Sequence, residues 1–179
     1  MTVHIALLRG INVGGHKMVG MANLRGLLTD LGFEDVRSLL QSGNLVFKSD
    51  PRPGKGLEQL LEQKTEERLE VRTDFFVRTA QKLDAAIAHN PFPDEAKRDP
   101  AHLLVLFLKD APPASAVKSL QSAIKGPELV RAHGREAYLV YPDGMGRSKL
   151  TAAVFDKHVG TGTARNWNTV LKLAALAKE

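Results

Sequence analysis

Three short segments carry residue types able to hold an anion. Residues 9–17 read RGINVGGHK, so Arg9, His16 and Lys17 stand around Asn12, Gly14 and Gly15. Glycines let a backbone turn tightly and present successive N–H groups, and such groups beside cationic side chains attract negative charge. The segment follows an apolar run and precedes a helical pattern, so a helix N-terminus adds its positive end. It is not a phosphate-binding P-loop. Gly10 and Gly15 have that spacing, but His16 comes next, and Lys17 precedes Met18 rather than Ser or Thr. The glycine spacing of a dinucleotide fingerprint is also absent. Residues 141–149, YPDGMGRSK, again run from strand to helix pattern, with Ser148 placed as an N-cap between Arg147 and Lys149. The third segment holds Arg165, Asn166 and the one tryptophan, Trp167. Either Asn166 or Asn168 suits the cap of a last helix. Trp167 either anchors that helix in the core or stacks on a flat ligand. For the two glycine-containing loops, the competing reading is a structural turn with incidental basic residues.

Other chemistries find little support. The chain has no cysteine, which removes disulfides, thiolate metal sites and cysteine nucleophiles and suits a reducing cytoplasm. Ser42 lies in a turn but lacks the Gly-x-Ser-x-Gly elbow of a hydrolase nucleophile. His4, His16, His89, His102, His133 and His158 show no ligand spacing, so no metal is expected. No cofactor is implied. Adjacent acids such as Glu34 and Asp35 point apart on a regular element and argue little for acid–base catalysis.

The elements that must position these segments follow from periodicity. Residues 3–8 are apolar except for His4 and read as a buried first strand rather than a signal peptide. Met21, Leu24, Leu27, Leu28 and Leu31 recur at helical spacing, with Gly32 as the stop. Short strands follow at 36–40 and 45–47 around the turn cluster Gln41-Ser42-Gly43-Asn44. Leu57, Leu60, Leu61 and Leu69 mark a second helix, with Glu58, Glu62, Glu66 and Glu67 expected largely on its wet side. A strand at 75–77 and a helix capped by Thr79 complete the first half. Residues 91–100 are rich in proline and charge and read as a linker. The pattern then repeats. A strand spans 103–108 and a helix carries Val117, Leu120 and Ile124. Strands at 128–131 and 137–141 flank the turn at His133-Gly134-Arg135. A helix carries Leu150, Val154 and His158, a short strand lies at 162–164, and a last helix begins near Trp167.

The expected architecture is therefore α+β: two ferredoxin-like βαββαβ halves, 1–90 and 101–179, each followed by an extra helix and packed together. Strands 3–8 and 103–108 lack the alternation of a half-exposed strand. Both faces should be covered, by the other half, a trailing helix or a second chain in a homodimer. In this order the first and third strands are expected as a parallel central pair, and the loops leaving them open on one edge of the sheet. Arg9, Lys17, Lys48, Arg52 and Lys55 would then gather there. The 179 residues carry a net charge of +5, with 13 Lys and Arg against 9 Asp and Glu after residue 90. No apolar stretch approaches the length of a membrane span, so a soluble cytoplasmic protein without a membrane partner is expected.

Three signatures together resemble a known family. They are LLRGINVGG at 7–15, LQSGN at 40–44 with Val46-Phe47, and Ser148-Lys149-Leu150 followed by TARNWNTV at 163–170. The chain is similar along nearly its whole length to the domain of unknown function 1697. The resemblance implies a duplicated ferredoxin-like arrangement and supplies no activity, substrate or catalytic residue.

Function is weighed among three classes. A binder of an anionic ligand (a phosphorylated metabolite, nucleotide or nucleic acid) would use the basic glycine-containing loops. An enzyme acting on a small anionic substrate between the halves would clamp charge with Arg9, Lys17, Arg147, Lys149 and Arg165, with His16 as proton carrier. An interaction module would use its sheet faces. Single-strand RNA modules of this topology stack bases on aromatics of the third strand. Residues 44–48 and 137–141 lack that run, so a sequence-specific RNA reader is disfavoured. The anion binder ranks first.

Overall fold

The computed structural model describes residues 1–10 and 19–179. It divides into two units, Met1–Asp84 with Leu173–Glu179, and Ala85–Lys172. In the first, β1 (Thr2–Leu8), α1 (Met21–Asp30), β2 (Glu34–Ser38), β3 (Asn44–Ser49), α2 (Gly54–Leu69) and β4 (Phe75–Thr79) follow one another. α3 (Ala80–Ala88) carries the chain onward, its first turn capped by Thr79 Oγ1, which accepts from Lys82 N at 3.1 Å. Residues 91–100 contain a short helix, α4 (Pro93–Arg98), and the start of a 3-10 turn at Pro100–His102. The second unit continues with β5 (Leu103–Leu108), α5 (Ala114–Ala123), β6 (Leu129–His133), β7 (Glu136–Val140), α6 (Ala152–His158) and β8 (Gly162–Asn166). α7 (Trp167–Leu176) ends the order.

The sheets run β2-β3-β1-β4 and β6-β7-β5-β8. This is an α+β fold in which a four-stranded sheet with helices occurs twice, in the ferredoxin-like order. One topological expectation is overturned. The central strands pair antiparallel, with Thr2 opposite Ser49 and Leu7 opposite Asn44, and Leu103 opposite Val140. The reason is connectivity. A helix returns the chain between β1 and β2, and a hairpin reverses it again between β2 and β3, so β3 must run against β1. The loop after β1 and the loop after β3 therefore leave opposite ends of the sheet. Arg9 does not gather with Lys48, Arg52 and Lys55; Lys48 instead pairs with Asp35 at 3.0 Å.

Each sheet packs one face on helices. Ala6, Leu8, Leu45, Phe47, Phe75 and Val77 join Leu24, Leu28, Leu57 and Leu61 in the first core. Leu104, Leu106, Leu108 and Leu139 join Leu120 and Phe155 in the second. The alternate residues of the central strands are buried as well, among them Ile5, Leu7, Leu103, Val105 and Phe107. That matches their unalternating sequence, because burial on both faces removes the reason for polar residues on either.

The second family signature reads as structural. Asn44, fully buried, donates from Nδ2 to Leu39 O at 2.9 Å and to Ser42 Oγ at 3.0 Å. Gly43 has φ +82, and a Cβ there would lie 2.9 Å from Leu8 Cβ, so both conformation and space demand glycine.

The open edge of β4 is closed by α2. Glu58 and Glu62, one helical turn apart, accept from Val77 N and Phe75 N, each at 3.0 Å. These are the alternate N–H groups that an edge strand points away from its neighbour, and capping them blocks pairing with another chain. Glu58 thus departs from its expected wet side. It is 2% exposed and lies 3.9 Å from the equally buried Arg78. Removing one partner of a buried ion pair costs about 3–5 kcal/mol. Glu58→Ala should lose stability on that scale in urea denaturation, and Glu58→Gln, which keeps an acceptor for Val77, should lose less.

His4 is buried against Phe47, ring centroids 5.4 Å apart. Burial, with the charge of Arg52, holds its pKa below the ordinary 6.5. The unfolded chain therefore takes up this proton first as pH falls. The stability His4 contributes is full above about pH 6.5 and is lost below it, toward the folded-state value. Urea titrations at pH 7.5 and 5 should show a smaller loss for His4→Phe than for the parent.

Candidate anion-binding site

The two units differ at one end of the sheet. Three residues connect α1 to β2, but five connect α5 to β6; four connect β3 to α2, but eleven connect β7 to α6. In the first unit this end is filled. Phe33 is buried and stacks on Phe47 at 4.8 Å, and the Arg52 guanidinium lies 5.5 Å above its ring. In the second unit the longer connections enclose a cleft of about 900 Å³.

Its lining is cationic over an aliphatic strip. Lys125 comes from the α5–β6 connection, Arg147 and Lys149 from the β7–α6 connection, and Lys157 from α6. Ile124, Leu150 and Val154 supply apolar surface, and Glu128 and Asp143 are the two carboxylates. Among the described residues, none of the four cations forms an ion pair.

Ser148 ties the two connections together. Its hydroxyl donates to Glu128 Oε1 and accepts from Leu150 N at 3.1 Å. Tyr141 donates to Leu150 O at 2.9 Å, and burial, with the charge of Glu128, pushes its phenol up to about 12. Leu150 is held at both its backbone N–H and its carbonyl, which fixes the floor beneath Arg147 and Lys149. Ser148 is not the N-cap expected of it. α6 begins at Ala152 after Thr151, and the Ser148 hydroxyl instead bridges Glu128 and the Leu150 amide within the connection. The positive field of the cleft comes from side chains rather than a helix start at 148.

The remaining expected residues lie elsewhere. Arg9 sits at the end of β1, its N donating to Asp74 O and its O accepting from Thr73 Oγ1 at 2.8 Å. Asn12, Gly14, Gly15, His16 and Lys17 fall outside the described residues. Arg165 is buried within β8. Its Nη1 donates to Thr163 Oγ1 at 2.7 Å and Ala164 O at 2.9 Å, and desolvation lowers its pKa to about 10. Asn166 caps α7, accepting from Thr169 N at 2.9 Å. Neither Arg165 nor Asn166 lines the cleft. Sequence reasoning did not single out Lys125, Glu128, Lys157 or His158 as one group. The available signal was the greater length of the two connections in the second half.

Fold and cleft together define a tandem ferredoxin-like α+β protein with a cationic cleft in its second unit. The chain belongs to the family of proteins of unknown function DUF1697, whose model matches residues 1–138. The segment bearing Arg147 and Lys149 lies beyond that match. The chain is also similar to the solved structure of conserved bacterial protein SP0830 from Streptococcus pneumoniae. They share 28% identity and a TM-score of 0.75, covering 98% of each chain. No curated protein matches the chain.

Trp167 opens α7 at 6% exposure, so its ring is a core anchor and not a surface for stacking a ligand. Truncating a buried tryptophan costs about 3–5 kcal/mol. Trp167→Ala should shift the chemical denaturation midpoint accordingly.

Proposed function

We propose that this protein binds a small anionic ligand, a phosphorylated metabolite or nucleotide, in the cleft of its second unit, and that it works in the cytoplasm. The observation that carries the reading is the convergence of Lys125, Arg147, Lys149 and Lys157 on one concavity, against two carboxylates. Like charges gathered on a concave surface repel one another, and a bound anion relieves that repulsion. One carboxylate oxygen of Glu128 is occupied by the Ser148 hydroxyl it accepts from. The aliphatic strip gives a carrier group apolar contact, as small-molecule pockets combine apolar lining with a few charged groups. For location, among the described residues no helix is long and apolar enough to cross a membrane, and the chain lacks cysteine.

A thermal-shift panel of inorganic phosphate, sugar phosphates, nucleotides and oligonucleotides tests this. A ligand at about 100 times its Kd adds about 2.7 kcal/mol to the native state, so the midpoint should rise. The rise should fade with added salt, since exposed charge contacts are screened. It should shrink in Arg147→Ala and Lys149→Ala without loss of fold. No response to any probe, or full response in both variants, would sink the reading.

A further inference from the structure

We infer that His158, with its ring oriented by Ser119, is a pH-dependent ligand for the oxyanion head of whatever fills this cleft; the inference rests on the anion-binding reading above. His158 ends α6 and lines the cleft beside Lys157. Ser119 belongs to α5, the helix packed against α6, and its Oγ lies 3.0 Å from His158 Nδ1. Ser119 does not itself line the cleft. The contact therefore occupies the ring nitrogen turned toward α5 and leaves Nε2 as the nitrogen available to a ligand. Imidazole is the side chain that gains charge between about pH 5 and 8. Protonated, His158 adds a fifth cation to Lys125, Arg147, Lys149 and Lys157. The hydroxyl of Ser119 suits both states, since it either donates to Nδ1 or accepts from it.

Among the described residues, the elements packed against this ring carry charged groups of both signs. α5 contributes Lys118 next to Ser119, and α6 contributes Asp156 and Lys157. The carboxylates Glu128 and Asp143 line the same cleft. β8 also packs on α6, and it turns Ala164 toward the helical core. The alternation of a strand sends Arg165 to the other face. The cations outnumber the carboxylates, so the cleft draws an oxyanion toward the ring, and an oxyanion beside an imidazole favours its protonated form. Linkage then requires the converse: protonation of His158 must tighten oxyanion binding.

Sulfate is the probe, because it keeps its charge across the range in which imidazole titrates. Its affinity should be read by calorimetry on the full chain at pH 8 and pH 5.5, and the His158 ring followed by NMR with and without sulfate. The expected result is binding about two- to fivefold tighter at pH 5.5, the scale of one partly exposed charge contact. Sulfate should also raise the midpoint of the His158 titration. In His158→Gln the pH dependence should vanish while binding at pH 8 persists. In Ser119→Ala the ring should still titrate, with a smaller response to sulfate. Sulfate bound equally at both pH values, or a pH dependence surviving in His158→Gln, would overturn the role of His158 and leave the cleft reading intact. Failure of sulfate, phosphate and every phosphorylated probe to bind at either pH would overturn both.

Discussion

The antiparallel pairing of the central strands is the constraint on which the rest of this structure depends. Because β3 runs against β1, and β7 against β5, the connections of each unit sort into two sets at opposite ends of its sheet. The helix-to-hairpin connection and the hairpin-to-helix connection share one end. Lengthening both, as in the second unit, opens a space between them. Keeping both short, as in the first, lets Phe33 and Arg52 close the same place. The cleft follows from the strand directions and two loop lengths.

Both units must also satisfy polar groups that their sheets leave over. In the first, Glu58 and Glu62 reach across from α2 to the outer N–H groups of β4. Burying a carboxylate is costly unless it gains partners, and Glu58 gains a backbone donor and a guanidinium. In the second, Tyr138 donates to Ala86 O and Tyr141 to Leu150 O. Burial raises the pKa of both phenols, so they remain donors throughout the working pH range. These contacts belong to the framework. The groups of the cleft, by contrast, keep their charge at the surface, which is where an anion is reached without a large desolvation cost.

The family signatures divide along the same line. Gly43 and Asn44 shape a loop against Leu8, and Asn166 and Trp167 cap and anchor α7. Ser148 holds two connections together. Each has a structural task that explains its residue type. Lys149 of the same signature and its neighbour Arg147 line the cleft and, among the described residues, form no ion pair.

From the sequence alone, the repeated element order, the burial of residues 3–8 and 103–108, the capping role of Thr79 and the basic segment at 141–149 were all legible. Each is a local pattern: a period, a run without alternation, a residue type at an element boundary. Strand direction in the sheet was not local in this sense, and reading the central pair as parallel wrongly brought Arg9 toward Lys48. The burial of Glu58 was equally hidden, since an acidic residue on an amphipathic helix is ordinarily solvated and only the open edge of β4 gives it partners. The cleft itself joins Lys125, Arg147 and Lys157 from three separate segments. Tertiary structure alone decides such a group, because antiparallel pairing delivers the connections of Lys125 and Arg147 to one end of the sheet and the packing of α6 on α5 brings Lys157 to the same cleft.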